Sequence, residues 1–174
     1  MRLRIMTAAV AIPLLFAAIA CTNQRQSASY KDAVKTALEQ ADLKDVSVSE
    51  DADKNTITLG GTLHSDEAKQ KAGDVAKANA GDRIIVNQVS VQPVGMESQA
   101  KTVESNVDDG IESNYKAALV AKGLDKQHIR FDSKNGVLTL KGTVKAPTQR
   151  KDAEQIARNI PNVQQVVNEI DVKR

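Results

Sequence analysis

The chain has 174 residues, enough for one domain or two small ones, and 41% of them are hydrophobic, which excludes a wholly disordered protein. Only 2% are aromatic and there is no tryptophan, so any core is built from valine, isoleucine, leucine and alanine. The formal net charge of +2 comes from Arg2 and Arg4; beyond residue 21 the chain is neutral, which speaks against general nucleic-acid binding, a task that needs a basic surface and usually stacking rings.

Arg2 and Arg4 precede an apolar run from Ile5 to Ala20, a charged n-region followed by an h-region. The run is short for a spanning helix, and Pro13 interrupts it. Residues 1–20 therefore read as a signal peptide. It ends Ala18-Ile19-Ala20-Cys21, which resembles a bacterial lipobox, with Ala18 where the pattern prefers leucine. The resemblance implies cleavage before Cys21, the only cysteine, and its acylation with chains such as palmitate. More than one acyl chain would anchor stably, whereas one alone is marginal. Thr22 follows rather than an aspartate, which favours the outer membrane. Two other readings fit the same residues: an ordinary signal peptide leaving a free thiol, and an uncleaved anchor.

Residues 21–30 form the lipidated cysteine and a polar tether, with Ser29 as a candidate cap for a helix starting near Tyr30. Val34, Ala37, Leu38 and Ala41 then recur at helical spacing. Val46 and Val48 open a short strand, Asp51 to Asn55 is a turn cluster, and residues 56–64 form a second strand with Ile57, Leu59 and Leu63 pointing inward. Ser65-Asp66-Glu67 starts a second helix with acids where the helix dipole favours them. Gly81 ends it, and Ile84 to Val91 is a third strand. A linker is expected over 93–106, where Pro93 and Gly95 break the strand.

The same pattern then returns from about Val107, at an offset of 81 residues. Thr56-Ile-Thr-Leu-Gly-Gly-Thr-Leu63 meets Val137-Leu-Thr-Leu-Lys-Gly-Thr-Val144, and without a gap Leu38 meets Leu119, Ala72 meets Ala153 and Asn87 meets Asn168. Unrelated segments do not hold register that long, so this is a tandem duplication. Each copy, 31–92 and 107–174, reads helix, strand, strand, helix, strand. The fold class is α+β: two αββαβ units, each a three-stranded mixed sheet with two helices on one face, its crossover right-handed. A glycine late in a strand weakens it unless a bulge or close approach needs one. Gly61 and Gly142 occupy that place in both copies and are assigned a structural role.

The strand element Leu59-Gly-Gly-Thr-Leu63 with Val86-Asn-Gln-Val-Ser-Val91, and Leu140-Lys-Gly-Thr-Val144 with Val167-Asn-Glu-Ile-Asp-Val172, resemble the BON domain. Two copies after a lipobox are similar in layout to the dual-BON outer-membrane lipoproteins. The resemblance implies a non-enzymatic protein that binds anionic phospholipid, faces the periplasm and supports envelope integrity. Binding to another envelope protein is the alternative.

Chemistry of other kinds finds little footing. His64 and His128 occupy non-equivalent places in the repeat, no Cys/His spacing suits a metal, and Gly60-Gly61 lacks the lysine of a phosphate loop. Asp108 and Asp109 fit a helix start better than an acid/base pair. No catalytic residue, cofactor, metal, nucleic acid or small-molecule substrate is expected. Charge separates the copies: residues 22–106 carry a net of −3 and 107–174 a net of +3. Lys116 and Lys122 on the second copy's first helix, with Tyr115 and Val120 as anchors, are therefore the candidate lipid-binding residues. Lys69 and Lys71 in the first copy are expected to matter little.

Overall fold

The computed structural model describes residues 29–173. The leader, Cys21 and the tether as far as Ala28 lie outside them. In the first unit α1 (Lys31–Gln40) is followed by the hairpin β1 (Val46–Asp51) and β2 (Thr56–Leu63), by α2 (Asp66–Asn79), and by a third strand in two pieces, β3 (Ile84–Asn87) and β4 (Ser90–Val91). In the second, α3 (Glu97–Ala121) precedes the hairpin β5 (His128–Lys134) and β6 (Val137–Val144), then α4 (Pro147–Arg158) and β7 (Gln165–Val172).

Each unit is a mixed sheet. The hairpins are antiparallel, and the strand after each crossover helix runs parallel to the hairpin's second strand. The second hairpin turns in two residues, Asn135 and Gly136, both with positive φ, a turn whose twist matches the strands. Ser65 caps α2 by accepting from the Ala68 N–H, and Pro147 opens α4, where a missing N–H leaves nothing unpaired. Ser29 does not cap α1; its hydroxyl donates to Glu50 at 2.8 Å.

Two separate cores result. The first holds Val34, Leu38, Ile57, Leu59, Leu63 and the helix alanines Ala72 and Ala76. The second holds Ile111, Tyr115, Leu119, Leu138, Leu140, Ala153 and Ala157. Alanine at the α2 and α4 contact positions lets helix and sheet approach closely. A side-chain amide pins each: Asn87 Nδ2 donates to the Lys69 carbonyl at 2.9 Å, and Asn168 Nδ2 to the Arg150 carbonyl at 3.3 Å.

One element departs from expectation. The segment 97–106 is not a linker; it is the N-terminal part of α3, 25 residues long in all. Glu104 ties it to the first unit, accepting from Ser90 Oγ and from the Val91 N–H at 2.8 Å. Asp108 and Asp109 consequently lie mid-helix rather than at a helix start. Asp108 clasps the second hairpin, accepting from Ser133 Oγ at 2.8 Å, Asn135 N at 2.7 Å and Gly136 N at 3.0 Å.

The helix-free faces of the two sheets turn toward each other. Val86, Val137 and Val167 form a small shared cluster, and a polar cleft of about 430 Å³ opens beside it, lined by Thr56, Thr58, Thr139, Lys54, Lys141 and Glu169 among others.

Candidate membrane-facing surface and inter-unit groove

The C-terminal end of α3 carries the residues of interest. The stripe Ile111, Tyr115, Leu119 recurs every fourth residue and is buried, so the side chains on the other faces of these turns stand in solvent. Lys116 and Lys122 are exposed, and Val120 is 56% exposed, a large aliphatic with nothing over it. Neither lysine takes part in an ion pair among the described residues. By contrast Arg158 is engaged with Glu154 at 2.7 Å, and Arg150 donates to the Asn168 carbonyl at 3.3 Å.

Tyr115 does not belong to this surface. It is fully buried, its hydroxyl donates to the Ala153 carbonyl at 3.2 Å, and its ring meets Phe131 edge-on with centroids 5.0 Å apart. Burial pushes its phenol well above the usual range. A side chain on the stripe that faces the sheet cannot reach a bilayer while the unit is folded.

The two strand glycines sit in equivalent bulge-like positions. Gly61, opposite Val46, has φ +102, and a Cβ there would collide with the Asp45 carbonyl oxygen. Gly142, opposite Ile129, has φ +118, and a Cβ would collide with the His128 carbonyl oxygen. In each case the preceding residue of the partner strand comes too close for any side chain.

A second feature was hidden in the expected linker. Met96, Ala100 and Val103 continue the apolar stripe of α3 beyond its own core, Val107 stands at the edge of that core, and the four line a groove of about 700 Å³ between the units. Val91 and Pro93 form part of one wall and Val163 part of the other, while Met96 and Val103 remain 55% and 59% exposed. The periodicity of those four residues was the available signal; Pro93 and Gly95 masked it.

Lys69 stands at the edge of this groove, half-buried, with Nζ donating to the Asn135 carbonyl at 3.2 Å. Burial pushes its ammonium below the usual lysine range, against the opposing pull of Glu104, Asp66 and Asp108. Lys71 donates to the Ala41 carbonyl at 2.9 Å, just past the C-terminus of α1. Both side chains are thus bonded to main-chain carbonyls, Lys69 half-buried and Lys71 exposed. His64 and His128 are exposed, and the Nδ1 of His64 lies 2.8 Å from the Gln92 carbonyl oxygen. Among the described residues no cluster of His, Cys, Asp and Glu could hold a metal ion, and no helix is long and apolar enough to cross a membrane.

The BON-domain model matches twice, over residues 27–93 and 107–174. Osmotically-inducible protein Y of Escherichia coli strain K12 is 30% identical over 142 residues, covering 80% of this chain and 69% of that protein. Among solved structures, the C-terminal domain of CdsD, a structural protein of the type III secretion system of Chlamydia trachomatis, is 17% identical at a TM-score of 0.33; the alignment covers 80% of this chain and 62% of that one, under two thirds of its length. Two matched copies account for most of the sequence, and the chain belongs to the BON-domain family.

Proposed function

We propose that this is a non-enzymatic envelope module whose second unit lies against anionic phospholipid, anchored through lipidated Cys21 at the periplasmic face of the outer membrane, where it supports envelope integrity. The observation that carries the reading is the exposed C-terminal end of α3, where Val120 stands in solvent one turn after Lys116 on the same side of the helix, and the exposed Lys122 caps the end. An exposed aliphatic beside a cation suits a headgroup layer: the valine enters the apolar boundary, and each lysine near an anionic surface contributes about 1 kcal/mol. The net of +3 on residues 107–174 adds long-range attraction.

Co-sedimentation of residues 22–174, without acyl chains, is the direct test. Binding to phosphatidylglycerol vesicles that weakens with salt is expected, because screening acts on exposed charges. Val120→Glu should remove it. The groove between the units favours a second reading, an adaptor that receives an apolar segment of another envelope protein; absence of vesicle binding at low salt leaves that reading. For the anchor, Cys21→Ala should abolish lipid labelling and leave an unprocessed precursor, and normal cleavage of the variant would overturn it.

A further inference from the structure

The contacts between the units are reciprocal. Moving each partner by the repeat offset of 81 residues turns one contact into another. Lys54 pairs with Glu169 at 2.9 Å. The equivalent positions are 135 and 88, and there Asn135 Nδ2 donates to the Gln88 carbonyl at 2.7 Å. Val86 packs in one cluster with Val167, which is its own repeat equivalent, so that contact lies on the axis. Such reciprocity marks an isologous, twofold-related interface.

Where the symmetry fails, the side chains explain it. Gln165 donates to the Ile85 carbonyl at 2.7 Å and accepts from the Asn87 N–H at 3.3 Å. Its equivalent is Ile84, which has no amide to offer and stays 52% exposed. Lys69 donates across to the Asn135 carbonyl, whereas its equivalent Arg150 donates to the Asn168 carbonyl of its own unit.

We infer that the chain exchanges units with a second copy of itself, the first unit of each seating on the second unit of the other to give a closed dimer. Each unit has its own core, so the joint can form between chains with the same atoms that form it within one. The joint is thin: its apolar cluster is three valines, and the rest is polar contacts, the Glu104 bonds to Ser90 and Val91 included. The connection is a tight turn closed by Met96 N donating to the Pro93 carbonyl at 3.0 Å, with Val94 76% exposed and Gly95 at φ +82. Extending that turn gives up that bond and the one Gly95 N donates to Glu97 Oε1 at 2.8 Å, and Gly95 takes an extended backbone at no steric cost. Because the exchange is reciprocal, both joints of the pair are filled and no free surface remains to propagate a filament.

The test uses two full-length variants, Lys54→Glu and Glu169→Lys, in detergent, with mass read by light scattering. Alone, each variant faces like charges across the joint, within a chain or between chains. Mixed, an exchanged heterodimer restores an opposite-charge pair at both joints. The mixture should show a species of twice the monomer mass that neither variant shows alone. A mixture that stays at monomer mass overturns the exchange, and so does dimer at equal fraction in either variant alone, which would point to another surface. Deleting Val94 and Gly95 from the otherwise unchanged chain removes the turn and should shift it from monomer to dimer with the far-UV circular dichroism retained; folded monomer from the deletion also overturns the inference.

Discussion

Where Phe131 meets Tyr115 edge-on in the second unit, the first unit places a carboxylate at the equivalent position, Glu50, against Arg83 at 3.1 Å. Arg83 lies 5.5 Å from the ring centre of Tyr30 and also bonds Asn55. Glu50 accepts from Ser29 and from the Lys31 N–H at 3.2 Å, and so supplies the start of α1 with a cap that Tyr30 lacks. The second unit has no need of one there, since α3 has already run about four turns before the equivalent residue. One fold thus closes the same end in two ways, by a polar network that begins a helix and by an aromatic pair beneath a helix that began elsewhere. The first solution is sensitive to charge and the second to volume.

The comparison breaks most readily on volume. Tyr115→Ala should cost about 3–5 kcal/mol by opening a cavity, whereas Val34→Ala, the equivalent truncation in the first unit, should cost only about 2 kcal/mol. Urea midpoints followed by circular dichroism give both, and equal losses would mean that the aromatic pair adds nothing. Gly61→Ala and Gly142→Ala should behave alike instead, each losing roughly 3 kcal/mol, because the same carbonyl stands in the way in both units. A large difference between them would show that one bulge relaxes.

Surface charge sharpens the contrast next. Reversing Lys116 and Lys122 to Glu should weaken phosphatidylglycerol binding by at least about thirtyfold, from about 1 kcal/mol per lysine removed. Reversing Lys35 and Lys77, exposed lysines of the first unit, should change it little. Equal losses from the two pairs would end the division of labour between the units.

The smallest effect is acid sensitivity. The Glu50 carboxyl is held below the usual range, chiefly by the Ser29 hydroxyl and then by the Lys31 and Tyr30 N–H groups and Arg83. A depressed carboxyl contributes stability above its unfolded pKa, and that contribution is lost as pH falls through its lower folded value. Protection factors for amide exchange at Ala37 and Leu38 should therefore fall below the ordinary carboxylate range more than at Ala118 and Leu119, and Glu50→Gln should flatten the difference. Glu154 is depressed too, by Asn168 and Arg158, but it acts between α4 and β7, away from the helix starts being compared.

The sequence by itself determined the duplication, the order of elements in each copy, the two aliphatic cores and the strand glycines. These are local or repeat properties: side-chain periodicity reports which face of an element is apolar, and turn residues report where it stops. It did not determine which faces meet. Tyr115 shares its stripe with Ile111 and Leu119, and its position on that stripe, over Ala153 and against Phe131, excludes it from any surface. Residues 97–106 are helix formers that Pro93 and Gly95 isolate; the Glu104 bonds to Ser90 and Val91 tie that stretch down. Nothing in the sequence marks Val86, Val137 and Val167 as partners, or places Lys69 against Asn135. Only the seating of one unit on the other brings them together, because contacts between residues far apart in sequence leave no trace in the spacing of either partner.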